Sequence, residues 1–330
     1  MRETIRDILR LIRWQNLLFL AILMWVLEKW VVVPLLYAYG NGLPEVLPPL
    51  ILWLLILSTV LIAAGGYVIN DYFDIKIDRI NRPDRVIVGE TMSKPTAMRL
   101  SIGLSAAGII LGGLAAWLCS SWTLGIVILL TPGLLWFYSS AYKRQFIIGN
   151  LIVAFASALV PMLLGLANEG MFLPFLLERD LGPLYAQLQP VVHVIYTWLG
   201  GFALIIFLYT WIREILKDLQ DQMGDRELEC RTLPIKLGEL WTKIILTLMI
   251  CLTTGLLCWF CFGLLPFPHT WSSLNVRYLV FGLIIPLLCV MALTWAARIP
   301  SDYRNAQRLM KFAMFLGLLY SYVINAQLCA

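Results

Sequence analysis

Apolar residues in this chain gather in long blocks, separated by short polar stretches, and neither alternate nor line a single helical stripe. Blocks long enough to cross the roughly 30 Å of bilayer hydrocarbon fall at 14–33, 50–69, 98–118, 122–138, 147–167, 191–212, 241–262, 278–297 and 309–323. Within lipid the backbone must satisfy its own hydrogen bonds. Blocks of this kind therefore predict an all-α, polytopic membrane protein with nine transmembrane helices. The first block carries Glu28-Lys29, about 21 Å along the helix from Trp14, where the pair is expected to snorkel to the far interface. Ahead of it, Arg2, Arg6, Arg10 and Arg13 recur at helical spacing. That spacing suits either an amphipathic interfacial start or simple basic anchoring.

Composition narrows the class. At 60% hydrophobic and 14% charged over 330 residues, the chain is not an ordinary soluble domain. Of the 25 lysines and arginines, all but Lys29, Arg179 and Arg277 fall on alternate connections. The rich side is predicted to be cytoplasmic, and the net charge of +5 then reflects topology, with no nucleic-acid partner. Seven cysteines, mostly in or beside the blocks, are not a disulfide framework. Cys258-x-x-Cys261 is better read as small apolar filler than as a redox or metal motif. His193 and His269 read as packing or interface residues, and 172–189 as an outer cap.

The chemistry lies in a pattern that occurs twice on the cytoplasmic side. Asn70-Asp71, Asp74 and Asp78-Arg79 follow the second block; Asp218, Asp221 and Asp225-Arg226 follow the sixth. On a helix, steps of three and seven residues fall within about 60° of each other, so each copy is expected to present three carboxylates on one face. Such carboxylates repel unless a cation joins them. A hard divalent ion such as Mg²⁺, itself holding a phosphate, suits them, with Asn70 adding a neutral oxygen. The alternative is solvated helix ends with ordinary Asp/Arg pairs, a reading that identical spacing on one side disfavours. The recurrence suggests two pseudo-repeated four-helix units with a ninth helix appended, and a pseudo-twofold axis facing the motifs across a common cavity. The whole, 1–330, is read as one membrane domain with motif loops at about 70–97 and 213–240.

Asn70-Asp71-x-x-Asp74-x-x-x-Asp78 with Asn81-Arg82-Pro83 resembles the first signature of the UbiA superfamily of intramembrane prenyltransferases, and Asp218 to Asp225 resembles that family's second aspartate-rich loop. Arg13-Trp14-Gln15-Asn16, Tyr138, Lys143 and Gly149-Asn150 also match. The resemblance implies Mg²⁺-dependent transfer of a polyprenyl group from its diphosphate, with the lipid tail housed among the helices. It assigns metal ligation to Asn70, Asp71, Asp74, Asp78, Asp218, Asp221 and Asp225. Diphosphate binding goes to Arg13, Asn16, Arg79, Lys143 and Arg226, and catalytic contacts to Tyr138 and Lys143. The segment Arg213-Glu214-Ile215-Leu216-Lys217-Asp218, with Gly224-Asp225 and Cys230-Arg231-Thr232-Leu233-Pro234, is most similar to the branch acting on geranylgeranylglyceryl phosphate. Arg82, Arg85, Arg226 and Arg231 would serve that acceptor's phosphate.

One departure is visible. Where the family often continues Pro-(apolar)-Pro-Ser-Gly, this chain has Val86-Ile87-Val88-Gly89-Glu90. An aromatic acceptor (quinone, homogentisate or chlorophyll-type precursor) is the alternative within the family. A transporter is the alternative outside it, but transporters place ionisable groups near the bilayer midplane, away from one edge.

Overall fold

The computed structural model describes residues 2–39, 47–81, 83, 86–177, 182–264 and 273–329. Among them are nine helices long and apolar enough to span a membrane. A short amphipathic helix, α1 (Arg2–Leu11), leads into α2 (Trp14–Tyr39). Then follow α3 (Pro49–Asn81), α4 (Lys94–Leu118), α5 (Trp122–Ser140), α6 (Ile148–Leu177) and α7 (Gly182–Gln220). Two short helices, α8 (Gln222–Glu227) and α9 (Leu233–Leu237), precede α10 (Glu239–Phe262), α11 (Leu274–Ala296) and α12 (Tyr303–Leu328). The fold is all-α, as the blocks predict. Arg82, Arg85, His269 and part of the 172–189 segment lie outside the described residues.

The chain forms two compact units. The first comprises Met1–Trp25, Pro44–Lys143 and Leu163–Leu188. Its centre is α3 against α4, packed through small residues: Ser58 Oγ donates to Gly108 O at 2.7 Å, and Ser101 Oγ to Gly65 O at 2.9 Å. Such contacts let two backbones approach in lipid, where no hydrophobic force drives helices together. At 33 residues, α3 is about 50 Å long, far more than the hydrocarbon requires. Its last turns therefore project beyond the membrane as helix and stop at Asn81, before Pro83. Leu11, Val68, Ile75, Val88 and Ala97 close a core beneath them. Val88, in the segment that departs from the family pattern, is buried in that core, and Gly89 turns the loop with φ 91°.

The second unit comprises Val26–Leu43, Arg144–Met162 and Gln189–Ala330. Here α12 is an integral member: Tyr278 Oη donates to Leu316 O at 2.8 Å, Tyr320 Oη to Asn275 Oδ1 at 2.7 Å, and Gln307 Nε2 to Leu216 O at 3.1 Å. Glu28 does not snorkel. It opens a π-helical turn, Glu28–Val32, and is only 1% exposed. The wider turn shifts the helical face, and Trp30 meets the Tyr322 ring edge-on at 5.7 Å. Cys261 is buried and lies 3.2 Å from Tyr320 Oη, a packed thiol as expected.

Candidate active site

The first motif sits on the projecting end of α3, so its spacing is realised on a continuous helix. Asn70 and Asp74 are buried, Asp71 and Asp78 partly so. The carboxylates are gathered by cations from distant parts of the same unit. Lys143 Nζ bonds Asp74 Oδ2 and also donates to Asn70 Oδ1 at 3.2 Å. Asn70 Nδ2 donates to Asp74 Oδ2 at 2.8 Å and, more weakly, to Asp71 Oδ1 at 3.4 Å. Arg13 Nη2 donates to that same Asp71 oxygen at 2.8 Å, and its guanidinium lies 4.8 Å over the Tyr67 ring. Asn16 Nδ2 donates to Tyr67 Oη at 3.3 Å. Burial works against both cations. For Arg13 it is more than offset by Asp71, Tyr67 and Asp74; for Lys143 by Asp74, Tyr138 and Asp78. Both are held above their usual values and stay charged through the neutral range.

The second motif departs from expectation. Asp218 is on α7, but that helix ends at Gln220, and Asp221 breaks it with φ −93° and ψ 12°. Asp225 belongs to the separate one-and-a-half-turn helix α8, so the three carboxylates do not share one helical face. Aspartate and glycine are poor helix formers, and Asp221 to Gly224 interrupts the apolar run that holds α7 in its bundle. Left-handed Glu229 (φ 53°) then closes α8, with Cys230 N–H donating to Asp225 O at 2.9 Å. The side chains here have their own partners. Asn150 Nδ2, from the first turn of α6, donates to Asp218 Oδ2 at 2.7 Å. Thr232 Oγ1 donates to buried Asp225 Oδ2 at 3.2 Å. Glu214, one turn before Asp218, is buried against Arg213 at 2.5 Å.

Other residues read from the sequence are placed as follows. Tyr138 is buried at the end of α5. Arg79 is exposed and pairs with Glu90 at 2.6 Å, tying the 86–92 loop to the motif helix. Arg226 and Arg231 are exposed, and Arg231 N–H donates to Arg144 O at 2.9 Å. Sequence reasoning did not assign roles to Tyr67, Asn150 and Thr232. Asn150 was visible as the asparagine opening a helix, and Thr232 as a member of the Cys230-Arg231-Thr232-Leu233-Pro234 segment; Tyr67 carried no signal.

Among the described residues, the bonds onto Asp71 and Asp74 fall on one oxygen of each, leaving Asp71 Oδ2 and Asp74 Oδ1, as they leave Asp218 Oδ1. Hard carboxylate oxygens of this kind fit Mg²⁺ or another oxygen-seeking ion. No three His, Cys, Asp or Glu side chains among the described residues cluster to enclose an ion alone. The carboxylates would thus supply part of an octahedron that waters and phosphate oxygens complete.

Comparison with known proteins identifies the family of the chain. The profile of the UbiA prenyltransferase family matches residues 31–319. The chain belongs to that family. Among its relatives, the digeranylgeranylglyceryl phosphate synthase of Sulfolobus acidocaldarius is 33% identical over 268 residues, covering 80% of this chain and 81% of that protein. The one from Methanopyrus kandleri is 32% identical over 259 residues, covering 78% and 81%. In fold, this UbiA-family prenyltransferase is similar to a solved digeranylgeranylglyceryl phosphate synthase (TM-score 0.62, 23% identity, 98% of this chain and 99% of that one). It is also similar to a UbiA homolog from Archaeoglobus fulgidus bound to GPP and Mg²⁺ (TM-score 0.56, 15% identity, 97% and 99%).

Proposed function

We propose that this prenyltransferase moves a geranylgeranyl group from its diphosphate to the free hydroxyl of geranylgeranylglyceryl phosphate, forming an ether, with Mg²⁺ as cofactor. The site would face the cytoplasm from the cell membrane, on the side rich in lysine and arginine. One observation carries the chemistry: Lys143 is shared between Asn70 and Asp74 while Arg13 holds Asp71. Those are the groups needed to receive an ion-bound diphosphate, with the cations already at the carboxylates that would hold it. When bound, Mg²⁺ supplies neutralisation of the charge that develops on departing diphosphate oxygens.

The protein's own groups do the rest. Asp71, Asp74 and Asp78 in one motif and Asp218, Asp221 and Asp225 in the other bind and orient. Arg13 and Lys143, with Asn16 behind Tyr67, stabilise negative charge on the leaving group as the allylic C–O bond breaks. Buried Tyr138 offers its ring face to the allylic cation and helps exclude water. The acceptor hydroxyl oxygen bonds to the allylic carbon and gives up its proton, and diphosphate leaves. The names carried by relatives at about one-third identity support the glyceryl phosphate acceptor. The test uses purified protein, Mg²⁺ and labelled geranylgeranyl diphosphate. Geranylgeranylglyceryl phosphate is offered in one tube, and hydroxybenzoate, naphthoate and homogentisate in another, with products read by mass spectrometry. An ether lipid in the first tube is the expected result. A prenylated ring in the second would replace the acceptor and leave the metal chemistry standing.

A further inference from the structure

Ahead of the first span, α1 turns only part of its apolar surface to the protein. Leu11 is fully buried with Val68 and Ile75 of α3, and Ile12 packs against the same core. At about 100° per residue, the remaining positions follow in order round the helix. Beyond half-buried Ile8 come Ile5 and Leu9, 54% and 42% exposed, and beside them exposed Arg6 and Arg10. Asp7 lies past Arg10, so the arginines border the apolar edge and this acid does not. Location decides what meets that edge. Leu11 packs at Val68 and Ile75, the level at which α3 leaves its apolar block of 50–69. After Ile12 and Arg13 the chain enters α2, whose Trp14 and Leu18 are exposed on a membrane span. Ile5 is eight residues before Arg13, about 12 Å at a helical rise. An apolar edge beside a row of arginines at this level suits the boundary between acyl chains and headgroup phosphates. The turn that follows needs support. Arg13 has φ 53°, a conformation that persists only where its surroundings over-determine it. Leu11 fixes one side of the helix before that turn, and a lipid surface would fix the other.

We infer that α1 is a docking surface for anionic membrane lipid: Ile5 and Leu9 enter the acyl boundary, Arg6 and Arg10 bind headgroup phosphates, and this seat holds the turn that puts Arg13 on Asp71. The test is hydrogen–deuterium exchange, read by mass spectrometry, of the amides from Arg6 to Leu17 in full-length protein in nanodiscs. Those amides include Ile12 N–H, which donates to Ile8 O at 3.0 Å, and Leu17 N–H, which donates to Arg13 O at 3.3 Å, so helix and turn are read together. The discs contain phosphatidylcholine alone or an equal mixture with phosphatidylglycerol. Wild type should exchange about 30-fold more slowly in the anionic discs, the effect of two arginines at such a surface. Arg6→Gln/Arg10→Gln should exchange alike in both. Ile5→Gln/Leu9→Gln should exchange faster than wild type in both; glutamine is a good helix former, so the change reads lost lipid contact and not lost propensity. Equal exchange of wild type in the two discs would overturn the inference and leave the edge to a protein partner. A full anionic effect surviving in Arg6→Gln/Arg10→Gln, or wild-type exchange in Ile5→Gln/Leu9→Gln, would also overturn it. Slowing that stops at Leu11 and leaves Asn16 and Leu17 unchanged would sever the seat from Arg13. The readout involves no turnover, so it stands apart from the acceptor and the metal.

Discussion

Arg13 reaches Asp71, 58 residues away, at 2.8 Å from a backbone held at φ 53°. A left-handed arginine is unusual and costs about 1–2 kcal/mol. Here it turns the chain between α1 and α2 so that the guanidinium lies over Tyr67 and on the first motif. Arg13→Gly should therefore be more stable than Arg13→Ala by about 1 kcal/mol, because glycine accepts this conformation freely. Both should lose about 100-fold in kcat/KM for the prenyl diphosphate, since both lose the cation at the leaving group. Thermal melts beside steady-state kinetics on the two variants separate strain from chemistry. Equal stability of the pair would refute the strain.

Lys143 and Asp74 form an ion pair with side chains 19% and 8% exposed. Removing one partner leaves the other charge in a poorly solvated site, at a cost of about 3–5 kcal/mol. Lys143→Met is expected to destabilise the protein by that order and to abolish turnover. Asp74→Asn in the same chain should recover much of the stability and none of the activity. A double-mutant cycle in denaturant or heat reads the coupling. Additive losses would mean that the two charges are independently solvated.

The first motif was legible because an i, i+3, i+7 pattern is a helical pattern and α3 simply continues past the membrane. The second uses the same spacing across a helix break, and nothing local announces that Asp221 will leave the helical region. What was not legible is the support. Lys143 lies 69 residues from Asp74, and Asn150 lies 68 from Asp218; both pairings are made by tertiary packing. The burial of Val88 was equally hidden, since a loop lacking the family's prolines carries no sign that one valine will plug a core under α3. Glu28 misled because hydropathy places it near an interface while a π-helical turn and its neighbours decide its burial.

Gly108 meets α3 so closely that a Cβ would lie 2.7 Å from Ile62 Cγ1 and 2.9 Å from Ser58 O. The Ser58 contact is backbone and part of the serine–glycine tie, so it yields poorly. Gly108→Ala should destabilise the protein by about 1–3 kcal/mol, the range for overpacking. Gly103, on the same helix with nothing within 4 Å, is the control. Gly103→Ala should be neutral or slightly stabilising, as alanine is the better helix former. Melting temperatures in one detergent decide this, and a Gly108→Ala melt matching wild type would mean that α4 slides freely against α3.

The metal should be needed for turnover and not for the fold. Asp71 and Asp74 already have Arg13 and Lys143 to compensate them, and Asp218 and Asp225 are held by hydrogen bonds from Asn150 and Thr232. EDTA is therefore expected to stop prenyl transfer while lowering the melting temperature little, and added Mg²⁺ should restore the rate. Asp221→Ala should behave like permanent EDTA treatment: a folded protein whose turnover Mg²⁺ does not rescue. Asp221 ends a helix at a partly exposed position, so its loss removes a carboxylate without opening a core. Removing one such contact to the transition state costs about 100–1,000-fold in kcat. If Asp221→Ala retained near-wild-type turnover across a Mg²⁺ titration, the second motif would have to act through Asp218 and Asp225 alone. Collapse of the melting temperature in EDTA would instead show that the ion holds the fold together.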